Sequence, residues 1–97
     1  VTSDPLLAAR VLAGDTLAMS SVANDIRNQL RQDVRVTLAT YLESAPTIEA
    51  CARELFVHVN TVRYRLRRVV EATGLDPFNP TDALILRLGV MYERQMP

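Results

Sequence analysis

Four of the six residues from Arg63 to Arg68 are arginine, and Tyr64 lies among them. Asn60 and Thr61 stand just ahead, His58 two residues before Asn60, and no acid occurs between Glu54 and Glu71. Guanidinium groups pair bidentately with guanine edges and phosphate oxygens, and hydroxyls and amides add further donors and acceptors. Val62, Leu66, Val69 and Val70 recur at i, i+4, i+7 and i+8, which is one core-facing helical stripe. At about 100° per residue, Thr61, Tyr64, Arg67 and Arg68 point away from that stripe, with Arg63 and Arg65 on its flanks. A helix from about Asn60 to Thr73 therefore offers solvent four arginines, a tyrosine and a threonine.

An arginine-rich exposed face is usually plain solvated surface. Here Arg63 and Arg67 repel at i and i+4 at a cost of a few tenths of a kcal/mol, and no acid within the run offsets them. The major groove of duplex DNA admits one α-helix. Recognition helices touch bases through their N-terminal residues, here Asn60 to Tyr64. Arg67 and Arg68, a turn later, are better placed for phosphate, and Thr61 with the first amides can hold another.

Other chemistry finds little support. There is no phosphate-cradling glycine loop and no nucleophile motif. His58 is the sole histidine, so no metal cluster forms around it; its first expected role is bonding within the turn, with phosphate contact second. Cys51, the only cysteine, excludes an internal disulfide, fits a reducing cytoplasm and is expected to be packed rather than reactive. Glu49 and Glu54 share a scaffold helix and need not be a catalytic pair. We expect no enzymatic activity, no metal and no cofactor.

The 97 residues are enough for one hydrophobic core. Net charge is zero, but residues 53–68 hold five arginines against Glu54, while the rest hold six against ten acids. A local basic stripe on a neutral chain matters more for electrostatic binding than the total. No stretch approaches the ~20 consecutive apolar residues of a membrane span, and no secretory signal is visible. The chain begins at Val1 rather than Met, so we expect a piece of something longer, or a processed chain, with any sensing domain upstream.

The elements that must position the arginines all read at a helical period. Asp4 and Pro5 open a short helix that Gly14 closes. A second begins near Asp15 or Thr16 with the stripe Met19, Val22, Ile26 and Leu30. A third carries Val34, Leu38, Tyr41 and Leu42. The six positions from 22 to 42 are spaced by four, so on one straight helix they would drift by about 40° per step; a break is expected near Asp33. Pro46 ends this part. Thr47 caps a helix over 48–55 with Ile48, Ala52 and Leu55 inward, and Phe56 to Val59 connect it to the arginine helix, whose expected N-cap is Asn60. Two short helices so joined are a helix-turn-helix. Gly74 ends the second with Leu75 packing behind it, and residues 76–80 form a rigid, Pro-containing connector too short for a β-wing. The last helix runs from about Thr81 to Gln95. Leu84, Ile85, Leu88, Met91 and Tyr92 make one stripe on it; Ala83, Leu86 and Val90 make another on the far side. A helix apolar on two sides needs two partners, one of them another subunit or the helical lead-in.

The run from Leu55 to Arg68, with His58-Val59-Asn60-Thr61-Val62-Arg63-Tyr64-Arg65-Leu66 at its centre, resembles the signature of the C-terminal helix-turn-helix domain of the PucR family of bacterial transcription regulators, which includes the sugar diacid regulators. Thr37-Leu38 and Tyr41-Leu42 ahead, and Thr73-Gly74-Leu75 behind, also match. The resemblance covers roughly residues 33–92 and implies a DNA-binding output domain. It assigns Asn60, Thr61, Arg63, Tyr64, Arg65, Arg67 and Arg68 to the recognition helix, and Ala52 and Leu55 to the buried face of the helix before it. Val59 departs from the pattern, since arginine is frequent there; valine leaves at most a thymine-methyl contact.

The expectation is thus an all-α domain of five to six helices with a helix-turn-helix and no β-wing. Residues 1–32 form a helical lead-in, and residues 33–97 the DNA-binding domain. The expected partners are a double-stranded DNA operator, a second copy through the last helix and an upstream sensor domain, in the cytoplasm and without a membrane. The alternative is a helical interaction or oligomerisation module that does not read DNA.

Overall fold

The computed structural model describes residues 14–97. The short helix expected between Asp4 and Gly14 lies outside them. Five helices make up the described chain: α1 (Thr16–Gln29), α2 (Gln32–Glu43), α3 (Ile48–Leu55), α4 (Val59–Thr73) and α5 (Pro80–Gln95). There is no strand among the described residues, and no β-wing follows α4.

Asp15 caps α1, its Oδ1 accepting from the amides of Leu17 at 2.9 Å and Ala18 at 3.2 Å. The break expected near Asp33 falls at Leu30 and Arg31, both extended. Asp33 instead sits in the first turn of α2, where a carboxylate is favoured by the helix dipole. Leu30 stays buried across the corner, so the stripe of α1 passes into that of α2 without drifting off the core.

One buried cluster joins all five helices. Val22, Ile26, Leu30, Val34, Leu38, Cys51, Ala52, Val62, Leu66, Val69, Ile85 and Leu86 belong to it. Thr37, buried among them, turns its hydroxyl back onto the Asp33 carbonyl at 2.8 Å, as a helical threonine does to hide its polar atom.

The second apolar side of α5 is covered from within the chain. Leu86 and Val90 are 0% and 5% exposed, so they do not form a face for another subunit. Their side of the helix meets α1: a Cβ at Gly89 would lie 2.6 Å from Val22 Cγ1 and 3.1 Å from Ile26 Cδ1. The contact is locked at its end by Arg27, which donates to Glu93 Oε2 at 3.0 Å and to the backbone oxygens of Glu93, Met96 and Pro97.

Candidate nucleic-acid interface

Thr47 opens α3 as expected, its Oγ1 accepting from the Ala50 amide at 3.0 Å. Cys51 and Ala52 turn inward. The helix closes at Phe56, which is left-handed at φ 57°, ψ 44°, while the Val57 amide donates back to the Ala52 carbonyl at 3.0 Å. The phenyl ring itself is 94% exposed. Phe56, Val57 and His58 thus make a three-residue turn.

His58, not Asn60, caps α4. Its Nδ1 accepts from the Asn60 amide at 3.0 Å, which requires the neutral tautomer with the proton on Nε2. The helix begins one residue earlier than Asn60, so Asn60 is already inside the first turn and its Oδ1 faces outward, accepting from Arg63 Nη1 at 3.0 Å. The turn bonding expected of His58 is what the geometry shows.

Val62, Leu66 and Val69 are buried and Val70 half-buried, so the helix phase is as the sequence implies. Asn60, Arg63, Tyr64 and Arg67 are exposed, and Thr61 and Arg68 partly so. Arg67 makes no hydrogen bond or ion pair with any described residue. Arg68 pairs with Glu71, one turn on. Arg65 departs from the expectation. Its side chain is only 20% exposed; Nη1 donates to Thr37 Oγ1 at 3.2 Å and Nη2 lies 3.7 Å from Asp33 Oδ2. On the α2-facing flank the guanidinium meets a hydroxyl and a carboxylate and turns to them rather than to water. The open face therefore carries three arginines, not four.

The helix ends at Gly74, left-handed at φ 74°, with its amide on the Val70 carbonyl at 2.9 Å, and Leu75 is buried behind it. The connector is braced by Asp82, whose Oδ2 accepts from the Asp76 amide at 3.0 Å, and by Phe78, edge-on to Tyr41 at 5.6 Å. Cys51 is fully buried, and burial pushes its thiol above the ordinary range, Glu54 adding to the shift and Arg65 opposing it. One basic residue escapes sequence reasoning. Arg31, at the α1–α2 corner, comes to the Thr61–Tyr64–Arg68 side of α4, and no periodicity signals it, because it lies between two helices.

A capped scaffold helix, a tight turn and a second helix with a basic open face, packed on further helices without a wing, define a helix-turn-helix domain. The chain belongs to the family of the PucR C-terminal helix-turn-helix domain, whose model matches residues 34–91. It is 45% identical over 91 residues to an uncharacterized protein of Mycobacterium tuberculosis, covering 91% of this chain and 22% of that one. It is 37% identical to the carbohydrate diacid regulator of Escherichia coli, over 64% of this chain and 16% of that protein. The purine catabolism regulatory protein of Bacillus subtilis is also 37% identical, over 70% and 13% respectively. The crystal structure of a regulator of polyketide synthase expression from Bifidobacterium adolescentis superposes with a TM-score of 0.81 at 37% identity, covering 96% of this chain and 38% of that one. The chain thus spans under a quarter of the length of these curated relatives. The family is one of regulators, not enzymes.

Proposed function

We propose that the chain is the sequence-specific DNA-binding output domain of a bacterial transcription regulator, with α4 in the major groove. The observation that carries this is the open face of α4, where Arg63, Tyr64 and Arg67 are exposed while Val62, Leu66 and Val69 are buried. Asn60, Arg63 and Tyr64, near the N-terminal end, meet base edges. Val59, half-buried at the start of the helix, offers at most a thymine-methyl contact. Arg67, Arg68 and Thr61 take phosphates. His58 spends Nδ1 on the cap and offers Nε2–H to the backbone. Arg65 supports the helix from behind rather than reaching the duplex.

The relatives carry most of their length outside the matched region and the family's domain is C-terminal, which supports a further domain upstream, the proposed place of the sensor. A second copy would dock on Leu84 and Met91, which remain exposed on α5. Changing both to Glu should then lower the mass in solution without loss of helicity, and a parent already monomeric at high micromolar concentration would end that idea. The reading as an interaction module loses its main support, since α1 covers the second side of α5.

The test is titration of a selected operator and a scrambled duplex at several salt concentrations. Ala at Arg63 or Tyr64 should cost roughly 1–3 kcal/mol of discrimination. Ala at Arg67 should weaken both duplexes alike and flatten the salt slope by about 0.9. Parental behaviour in all three variants would remove α4 from the interface.

A further inference from the structure

Arg31 and Asp33, at the corner between α1 and α2, face Thr61, Tyr64, Arg65 and Arg68 of α4 across a cleft of about 260 Å³. The Arg31 side chain is 88% exposed, and its Nε lies 3.8 Å from Asp33 Oδ1. Arg65 Nη2 lies 3.7 Å from the other oxygen of the same carboxylate. Both separations exceed hydrogen-bond length, and ion pairs this loose and partly wet are worth little. One carboxylate therefore draws two guanidinium groups without satisfying either, at a place where three residues of the α4 open face also converge.

We infer that this cleft seats a backbone phosphate of the duplex held by α4, with Arg31 as its main cation and Asp33 as a built-in competitor for it. The inference rests on the DNA-binding reading above. Thr61, Tyr64 and Arg68 belong both to the cleft and to the open face, so an anion here is continuous with whatever lies on that face. A helix in the major groove runs between two sugar–phosphate strands, and the α2-facing flank of α4 is where one of them passes. Free phosphate is a poorer fit: Arg65 is hydrogen-bonded to Thr37 and Arg68 is paired with Glu71, and Arg31 alone does not hold a small ion. A polyanion fixed by other contacts brings its phosphate there at high effective concentration. Asp33 then sets the strength of the grip, since its charge repels the incoming phosphate and attracts the arginine that would bind it.

The experiment titrates a labelled duplex of arbitrary sequence with the parent chain and with Arg31→Ala, Asp33→Asn, the double variant, Arg67→Ala and, as control, Arg87→Ala, at several salt concentrations. Thermal unfolding confirms that each is folded. Arg31→Ala should weaken binding about three- to tenfold at low salt and lower the salt slope by about 0.9, as loss of one phosphate contact does. Asp33→Asn should tighten binding, most at low salt, and should gain less when Arg31 is already Ala. Arg87→Ala should match the parent. If Arg31→Ala keeps parental affinity and slope while Arg67→Ala loses both, the cleft is not a phosphate seat, and the DNA-binding reading stands without it. If the parent without duplex binds inorganic phosphate in a manner lost in Arg31→Ala, while Arg31→Ala binds duplex with parental affinity and slope, the site takes a free ion and the proposal is wrong. If the parent binds no duplex, both readings fall together.

Discussion

Arg65 and Arg67 are two residues apart and have opposite surroundings. Arg67 is exposed and makes no hydrogen bond or ion pair with any described residue, whereas Arg65 bonds Thr37 and approaches Asp33 with most of its side chain covered. They should fail differently. Arg65→Ala removes a charge-assisted bond to a buried hydroxyl, so it should lower stability by about 1–2 kcal/mol in denaturant unfolding and leave the salt slope of duplex binding unchanged. Arg67→Ala should do the reverse. Cys51 gives a pH signature at this scale. Burial raises its thiol above the unfolded value, and burial together with Asp76 raises the Tyr41 phenol likewise. For an acid whose folded pKa is raised, the folded state holds the proton longer. The stabilisation is complete below the unfolded pKa and is lost as pH rises toward the folded one. The melting temperature should therefore fall as pH climbs through about 8.5 and beyond, the ordinary thiol range. Cys51→Ala, scanned against the parent, should flatten the early part of that fall.

Between α3 and α4 the chain turns on a residue ill-suited to its backbone. Phe56 is left-handed without being glycine, which costs roughly 1–2 kcal/mol, and its exposed ring recovers little by packing. Phe56→Gly should raise stability by about 0.5–1 kcal/mol after the entropy of glycine in the unfolded chain is counted. Phe56→Val should lower it, because a β-branched residue tolerates positive φ least. Leu66→Asp, at the middle of the buried stripe, should abolish cooperative unfolding, since an unpaired carboxylate there has no partner. The bounds of α3 and the phase of α4 were legible because each rests on a strong local signal, Thr47 as cap and the valine–leucine stripe. The start of α4 was not: histidine is a rare cap, and β-branched Val59 is an unpromising first residue, so Asn60 looked the better candidate. The left-handed turn leaves no trace in the sequence, as nothing about phenylalanine announces it. The direction of Arg65 is not legible, because its flank position allows either one and only the tertiary approach of Asp33 and Thr37 decides.

At the scale of the whole molecule, α1 and α5 close the domain around the helix-turn-helix. The sequence shows that α5 is apolar on two sides but cannot say what lies on the second, because the answer depends on how α1 folds back. At Gly89 the α1 side chains of Val22 and Ile26 press close against α5. Alanine is the better helix former by about 1 kcal/mol, yet its Cβ would stand 2.6 Å from a methyl of Val22, a side chain with little rotamer freedom. Gly89→Ala should thus destabilise by about 1–3 kcal/mol in spite of propensity, measured by denaturant unfolding. Leu86→Glu or Val90→Glu should unfold the domain rather than divide a dimer, since both residues are buried within the chain. The proposed function requires that the open face of α4 enter the major groove. That is read most directly by methylation protection on an operator selected from random duplexes, since dimethyl sulfate attacks guanine N7 in the major groove and adenine N3 in the minor. Guanine N7 within the selected site should be protected, with protection lost at one or more guanines in Arg63→Ala and adenine N3 unaffected there. A bound operator whose guanines stay fully reactive at N7, or are protected equally by parent and Arg63→Ala, would contradict the proposed function.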